Sequence, residues 1–316
     1  MNVQYVKRIG YWSIAAAVLW TAGCAGSAVP AVAPGAGRLP VTAPLASTQG
    51  SLIYSGDFAN STITIYPAKG VDPQPIGTIT DGISAPERLF VDKNQNLYVS
   101  NHASITVYAK GATQPSLTIT TGINRPTGIV TGSDGKVYVG NAGTNDVTVY
   151  DAGKKSPSKT IAMPTNDQPQ NLALDAANNL YALYLAPGSP GSGIVKFAPG
   201  SNTGKDLGIT VGWPSAIELD RKDNLIALVG GASIEVFPPG QTKPSHTWTL
   251  PHSGSFLSFS QDEEKLYVSE SLGWPSNRWI IQQLDYPNGI QLTNKILDGT
   301  FANNSWALAA SPDNVL

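Results

Sequence analysis

The sequence predicts an all-β fold, a six-bladed β-propeller built from four-stranded antiparallel blades. Three observations favour it. A pattern of four short strands recurs, with its aromatic positions about 40–47 residues apart, the period expected for one propeller blade. Residues just after position 50 and at the end of the chain carry complementary parts of that pattern. Strong apolar–polar alternation, broken by Gly and Pro, argues against helical repeats after residue 50.

The repeat is clearest between residues 125 and 150. Pro126 opens a short apolar strand, a polar turn follows, and residues 137–139 read Val-Tyr-Val. Residues 147–150 then alternate as Val-Thr-Val-Tyr, the period of a half-buried strand. The aromatic position of the second strand is assigned to Ile53, Tyr98, Tyr138, Tyr181, Ile226 and Tyr267. That of the third strand is assigned to Tyr66, Tyr108, Tyr150, Phe197, Phe237 and Leu284.

The two ends of the propeller domain, residues 51–316, are predicted to share one blade. Residues 305–311 fit a first strand, whereas residues 52–80 supply the other three. Closing the ring in this way removes the open sheet edges that invite aggregation. Six blades follow from this count.

Composition limits the classes of partner. The 316 residues carry a net charge of −2, with 20 Lys+Arg against 22 Asp+Glu. A nucleic-acid-binding protein usually shows a basic stripe, and this sequence shows none. Only 13 % of residues are charged, so Ser, Thr, Asn and Gln must supply much of the surface, as is common in secreted β proteins. We expect a monomer that does not bind nucleic acid.

Residues 1–24 have the plan of an export signal. Lys7 and Arg8 precede an uncharged, mostly apolar run at residues 11–22, which is too short to span a bilayer comfortably. The run ends in Thr-Ala-Gly-Cys, which resembles the bacterial lipobox, although Thr21 stands where Leu is usual. The resemblance implies lipidation of Cys24, the single cysteine, and a membrane anchor in the bacterial cell envelope.

Two alternatives remain for this terminus. Ordinary signal cleavage after Ala28 or Ala31 would remove Cys24 and release a secreted protein, and the segment could also stay uncleaved as an anchor. Residues 25–50 are rich in Ala, Pro, Gly and Val and are predicted to be a flexible tether. A lone cysteine leaves no internal disulfide.

The repeat resembles NHL-repeat propellers. It carries Pro-x-x-apolar-x-apolar-Asp, a turn, and then Leu-Tyr-Val-x-Asn, as in residues 86–92 and 97–101. The resemblance covers roughly residues 51–316 and extends to the gluconolactonase/regucalcin and streptogramin lyase families. It implies a fold but does not choose an activity, because propellers host enzymes, receptors and scaffolds.

The gluconolactonase-like relatives imply a divalent metal held by a Glu, an Asn and an Asp near the loops that lead into the first strands. Glu87 and Asn171 match two of these positions, with Arg88 beside the first. The remaining positions offer no carboxylate, although hard cations need several oxygen ligands. We therefore predict no metal and no cofactor, and treat Glu87, Arg88 and Asn171 as candidates only.

The streptogramin lyases imply catalytic histidines with a nearby acid. His102 and His252 fall in predicted top-face loops, whereas His246 falls in an outer strand. A general base must come within hydrogen-bonding reach of its proton. The alternative is that both loop histidines are simply solvated. Asn101, His102 and His252 are retained as ligand-binding candidates.

Tryptophans give a second candidate surface. Trp213 and Trp306, with Trp274 and Trp279, fall in or beside predicted top-face loops. Exposed flat rings can stack on a sugar or anchor a protein partner, and packing between blades is the alternative. The sequence therefore favours a non-catalytic binding or scaffold module whose top face meets a protein, peptide or glycan. The competing hypothesis is a lactonase-like hydrolase or a lyase at the channel mouth.

Overall fold

The computed structural model describes residues 51–68, 73–186, 192–212, 216–260, 262–273, 279–292 and 305–310, with the backbone alone at 305–307. All of them fall within one compact unit, Val41–Leu316. The predicted signal at residues 1–24, with Cys24, and the predicted tether at residues 25–50 lie outside the described residues.

Six four-stranded antiparallel sheets confirm the predicted propeller. Blade I contains β1 (Leu52–Asp57), β2 (Thr62–Pro67), β3 (Gly77–Ile79) and β24 (Ser305–Ala310). Blade II contains β4 (Arg88–Val91), β5 (Leu97–Asn101), β6 (Ser104–Tyr108) and β7 (Leu117–Ile119). Blade III contains β8 (Pro126–Thr131), β9 (Val137–Asn141), β10 (Asp146–Tyr150) and β11 (Lys159–Ala162).

The second half of the chain repeats the plan. Blade IV contains β12 (Gln168–Leu174), β13 (Leu180–Leu185), β14 (Ser192–Phe197) and β15 (Gly204–Thr210). Blade V contains β16 (Ala216–Leu219), β17 (Leu225–Val229), β18 (Ser233–Phe237) and β19 (His246–Thr249). Blade VI contains β20 (Ser253–Phe259), β21 (Lys265–Ser271), β22 (Trp279–Asp285) and β23 (Ile290–Gln291).

Blade I is shared between the two ends of the chain, as predicted. Strand β24 pairs antiparallel with β1, and Ile53 lies opposite Ala310. The pairing converts the edges of β24 and β1 into interior positions of one sheet. The ring is therefore closed by hydrogen bonds between the beginning and the end of the propeller.

The assignment of Ile53 to the aromatic position of the second strand was wrong by one residue. Ile53 pairs with the aromatic Tyr66, whereas in blade II it is Leu97 that pairs with the aromatic Tyr108. Tyr54 is therefore the residue equivalent to Tyr98. A shift of one residue moves a side chain to the opposite face of a strand, and the hydrogen-bonded register determines which side chains share a face.

The core lies between neighbouring blades. One cluster joins Tyr98 and Val107 of blade II to Ile129 and Val139 of blade III, and the corresponding clusters join other neighbouring blades. Each large side chain that is removed from water contributes roughly 1.5–3 kcal/mol to folding. Because each blade uses both faces, no blade can bury its apolar residues alone.

Buried tyrosines also join the sheets to the connections between blades. Tyr108 and Tyr150 are 0 % exposed, yet their hydroxyls donate to the carbonyls of Asp81 (2.6 Å) and Thr121 (2.7 Å). A buried hydroxyl needs such a partner, because leaving it unpaired costs about 1–3 kcal/mol. Each tyrosine therefore fixes the segment that leads into the first strand of its own blade.

Helix is almost absent from the described residues, which contain one short 3-10 segment, Pro164–Asn166. None of their helices has the length and apolar character that crossing a membrane requires.

Candidate functional site

The top face consists of the loops that lead into each first strand together with the loops between second and third strands. In blade II the N–H of His102 donates to the carbonyl of Ser84 at 3.1 Å. In blade III the N–H of Ala142 donates to the carbonyl of Arg125 at 3.0 Å. The two kinds of loop are therefore contiguous around the mouth of the central channel.

Arg88, the first residue of β4, connects four blades at this mouth. Its Nε donates to the carbonyl of Thr127 at 2.7 Å and its Nη2 to the carbonyl of Gln170 at 2.9 Å. The guanidinium carbon lies 4.1 Å from the ring centroid of Phe256. Burial lowers the pKa of Arg88 to about 9, opposed by the charge of Glu87, so Arg88 remains a cation at neutral pH. Its donors hold blades III and IV, and its planar face packs on blade VI.

Glu87 lies beside Arg88 and is half-buried, with its N–H donating to the carbonyl of Ser100 at 2.8 Å. Burial raises the pKa of Glu87, and the positive charges of Arg88, Arg125 and His102 oppose that rise. These four charged or titratable groups thus share one electrostatic environment. We call Glu87, Arg88, Arg125 and His102 the mouth cluster.

Arg125 was missed as a site residue. It is exposed, and its backbone has a φ of 49°, in the left-handed region. Ala85, at the equivalent position of blade II, has a φ of 46°. Left-handed backbone costs a residue with a Cβ roughly 1–2 kcal/mol, and such strain concentrates at functional sites. The available signal was a charged residue directly before the proline that opens a first strand.

Asn171 uses its amide oxygen within the fold. Its Oδ1 accepts from the N–H of Ile217 at 2.8 Å and so joins blade IV to blade V. Thr127 behaves in a similar way, since its Oγ1 donates to the carbonyl of Pro169 at 2.5 Å. The described ranges contain no group of three or more His, Cys, Asp or Glu placed to hold a metal ion. The side chains of Asn171 and Thr127 therefore link neighbouring blades at the mouth.

The three loop candidates fall in different environments. Asn101 is 0 % exposed, its Oδ1 accepts from the N–H of Ser84 at 2.8 Å, and its Nδ2 donates to Oγ1 of Thr106 at 3.0 Å. The structure thus gives Asn101 a structural role at the base of its loop. His102 and His252 are exposed, in blade II and just before blade VI, and among the described residues no hydrogen bond or ring contact joins them.

Most of the predicted aromatic surface cannot be placed. Trp213 and Trp274 lie outside the described residues, and only the backbone of Trp306 is described, within β24. Trp279 is half-buried at the start of β22. The aromatic binding surface therefore stays a prediction.

A cavity of about 230 Å³ lies in the central channel. The innermost strands of all six blades line it, and Arg88 belongs to its wall. Glu218, in the middle of β16, also lines it and was missed. Burial raises the pKa of Glu218 to about 8, and the like charge of Glu263 adds to this effect. The sequence signal was an acidic residue in a strand that is otherwise apolar.

A second buried carboxyl lies in blade VI. Glu270 is 0 % exposed, and neither of its oxygens has a hydrogen-bond partner among the described residues. Burial raises the pKa of Glu270 to about 7, opposed by the backbone N–H of His252, which faces the carboxyl. Carboxyls with strongly shifted pKa values mark functional candidates, but Glu218 and Glu270 lie in different environments, and neither contributes to the pKa shift of the other.

Comparisons with known proteins show the fold alone. No protein-family model and no curated protein matches the chain. Hydrazine synthase of Kuenenia stuttgartiensis is similar in structure, with a TM-score of 0.52 and 16 % identity over 80 % of this chain and 78 % of that one. A functionally unknown protein of Desulfotomaculum acetoxidans gives 0.55 and 15 % over 83 % and 85 %. A Bacteroides caccae protein of unknown function gives 0.59 and 11 % over 83 % and 98 %.

Proposed function

We propose that this protein is an exported, non-catalytic binding module whose top face engages a protein or peptide partner. One observation carries the proposal. The polar side chains at the channel mouth that could serve catalysis, Arg88, Asn171 and Thr127, are bonded to backbone groups of neighbouring blades. What remains accessible is a rigid rim with exposed His102 and Arg125 and half-buried Glu87.

A rim of mixed charge suits recognition. Complementary charges on a partner would fix its orientation and speed its association, even where they add little affinity. The blades hold the rim in place before binding, so little conformational entropy is lost when a partner docks. Glu87 and Arg125 together select a partner that itself carries both signs of charge.

Site-specific photocrosslinking tests the proposal. A photoreactive residue replaces His102 on the top face, or Asp134 in an exposed turn between first and second strands as the control, in the source organism. We expect a discrete crosslinked protein or peptide from position 102 alone, and its loss when Arg125→Gly is added. Equal labelling from both positions would contradict a top-face site. A crosslinked glycan would change the partner class, and lactone hydrolysis lost in Glu87→Gln would favour the enzyme hypothesis.

We also propose that Cys24 carries a lipid that anchors the protein in the cell envelope. A single residue controls this property, so Cys24→Ser should move the protein from the membrane to the soluble fraction, whereas Ser27→Ala in the tether should leave it membrane-bound. Mass spectrometry of the mature N-terminus gives the second readout. A terminus at Val29, after cleavage behind Ala28, would show a secreted protein without the anchor.

A further inference from the structure

Most side chains around the central cavity are apolar, although polar atoms supply as much of its exposed surface as apolar atoms do. It lies inside the ring of first strands, and its volume of about 230 Å³ is below the roughly 300–1,000 Å³ typical of pockets for drug-sized ligands. Arg88, Phe90, Asn171, Glu218 and Phe256 belong to its wall. Any occupant other than water must therefore be small.

Two charged side chains contribute to this wall, and they differ in how they are paired. Arg88 uses its Nε and Nη2 on backbone carbonyls at the top end. Glu218 has neither a hydrogen bond nor an ion pair with any residue that the structure describes. Ala216 of blade V is the position equivalent to Arg88 of blade II. Glu218 lies two residues beyond Ala216 on the same strand. The charge of Arg88 does not contribute to the pKa shift of Glu218.

An unpaired carboxylate in an apolar wall is unfavourable. Glu218 is half-buried, so its carboxylate keeps part of its hydration, and losing the rest is unfavourable unless a counter-charge or hydrogen bonds replace it. The charged group that acts on Glu218 from outside the wall is Glu263, whose like charge raises the pKa of Glu218 further. With water alone in the channel, Glu218 is therefore mostly a neutral acid at pH 7. A cation beside Glu218 would supply the counter-charge that the described residues do not provide.

We propose that the central channel is a binding site for a small organic ammonium ion, with Glu218 as its counter-ion. The donor set argues against a metal ion, because hard cations take about six to eight oxygen ligands and the neighbours of Glu218 in the wall are largely apolar. An ammonium group needs fewer partners and carries its own apolar stem. Phe90 adds to that wall an aromatic ring, which attracts cations, whereas the ring of Phe256 already packs against Arg88.

Charged side chains lie at both ends of the channel. Asp92, Asp175 and Asp220 are buried directly after the first strands of blades II, IV and V. Glu263 lies in the turn between β20 and β21, on the same side. Lys196 pairs with Asp175 at 3.2 Å and Arg221 with Glu263 at 3.6 Å, so part of this negative charge is neutralised, whereas Arg88 repels cations at the other end.

Binding must move one proton. The neutral carboxyl of Glu218 loses its proton to the buffer, and the resulting carboxylate pairs with the ammonium group, which keeps its own proton. No covalent bond forms. Uptake of the cation at pH 7 therefore releases close to one proton, and this release fades as pH rises above about 8, where Glu218 is already ionised.

Isothermal titration calorimetry of the purified protein with n-propylammonium chloride tests this site. Titrations at pH 7 in two buffers of different ionisation enthalpy count the protons released, and propan-1-ol serves as the neutral ligand of the same size. The variants are Glu218→Gln, which keeps the shape and removes the charge, and Glu264→Gln, an exposed carboxyl in the turn between β20 and β21. Thermal melts confirm that both variants fold.

We expect propylammonium to bind with release of close to one proton, at least tenfold weaker binding to Glu218→Gln, and unchanged binding to Glu264→Gln. Propan-1-ol should bind at least tenfold more weakly than propylammonium. Equal binding of both ligands, equal binding to wild type and Glu218→Gln, or no binding at millimolar ligand would each overturn the proposal. The crosslinking experiment on the top face is independent of this result.

Discussion

Blades II and III share a device at the end of the second strand that blade VI lacks. In blade III, Asn141 accepts from the N–H of Asn124 at 3.0 Å and donates to Oγ1 of Thr148 at 3.0 Å. Asn101 makes the same pair of bonds in blade II. In blade VI the equivalent residue is Glu270, whose carboxyl faces the N–H of His252, but neither of its oxygens forms a hydrogen bond of normal geometry with a described residue. One backbone position thus holds a satisfied amide twice and an unpaired acid once.

The difference lies in the donors. An asparagine carries an acceptor and a donor, and so can bond both the loop N–H and the hydroxyl of the third strand. The residue of blade VI that aligns with Thr148 is Gln282, and its Oε1 is also without a partner in the described part of the chain. An ionised Glu270 has only acceptors to offer. The position stabilises the top face in blades II and III, and makes it sensitive to protonation in blade VI.

Removing the amide from blade III should give the largest effect. Asn141→Leu leaves the N–H of Asn124 without its acceptor and forces an apolar group against Thr148. Each buried polar group left unpaired costs about 1–3 kcal/mol, so we expect a loss of about 3 kcal/mol in the free energy of unfolding. Urea denaturation measures it. Asn94→Ala, in an exposed turn, is the control and should change stability by less than about 0.5 kcal/mol.

An equally small loss in Asn141→Leu and Asn94→Ala would mean that the loops are held by other contacts. The comparison would then reduce to a difference in composition without an energetic consequence.

The second prediction concerns pH. The pKa of Glu270 rises from its ordinary value to about 7 in the folded protein, so the folded state holds this proton more tightly than the unfolded state. The stability it contributes is full below about pH 4.5 and is lost as pH rises through 7. Glu270→Gln removes this dependence and offers an amide donor to Gln282. We expect it to be more stable than wild type by roughly 2 kcal/mol at pH 8, with little difference at pH 4.5.

Urea denaturation of both proteins from pH 4.5 to pH 8.5 checks this prediction. Comparing the two proteins cancels the contribution of Glu218, which has the same sign. Parallel stability curves would show that Glu270 does not titrate in this window. Glu270→Asn combined with Gln282→Thr sharpens the comparison, since it rebuilds in blade VI the pair found in blades II and III.

The fold was predictable because its signals are local and repeated. Alternation, the Tyr of the second strand and the glycines between strands recur often enough that an error at one strand, such as Ile53, leaves the count of blades intact. The shared blade was predictable because residues 52–80 and 305–311 each lacked what the other supplied. Glu87 and Arg88 were predicted to lie at the mouth because the same repeat places them where a loop leads into a first strand.

The buried acids were not predictable, because their meaning depends on neighbours across blades. The position of Glu270 holds Asp57, Asn101, Asn141, Tyr184 and Val229 in the other blades, so the repeat gives no rule for it. Whether Glu218 is solvated depends on five other strands of the channel wall. Asn101 was assigned to ligand binding because sequence shows its loop but not that its amide turns inward to Ser84 and Thr106.

The smallest predicted effect concerns the residue before the first strand. Arg125 in blade III is left-handed, with a φ of 49°, whereas the equivalent Ser253 in blade VI is not among the left-handed residues. Glycine relieves left-handed strain by roughly 1 kcal/mol but loses about 0.5–1 kcal/mol through its freer unfolded chain. We therefore expect Arg125→Gly to change stability by less than about 0.5 kcal/mol, and Ser253→Gly to lose about 0.5–1 kcal/mol, by urea denaturation at pH 7.

The opposite ranking would show that the side chain of Arg125 stabilises the rim more than its backbone strains it. If the expected ranking holds, Arg125→Gly becomes a clean probe of recognition. It removes one positive charge from the mouth cluster at almost constant stability, so any loss of a crosslinked partner reports on binding. Ala85 adopts the same left-handed conformation at the equivalent position of blade II, so the variant tests the charge of Arg125 rather than its backbone.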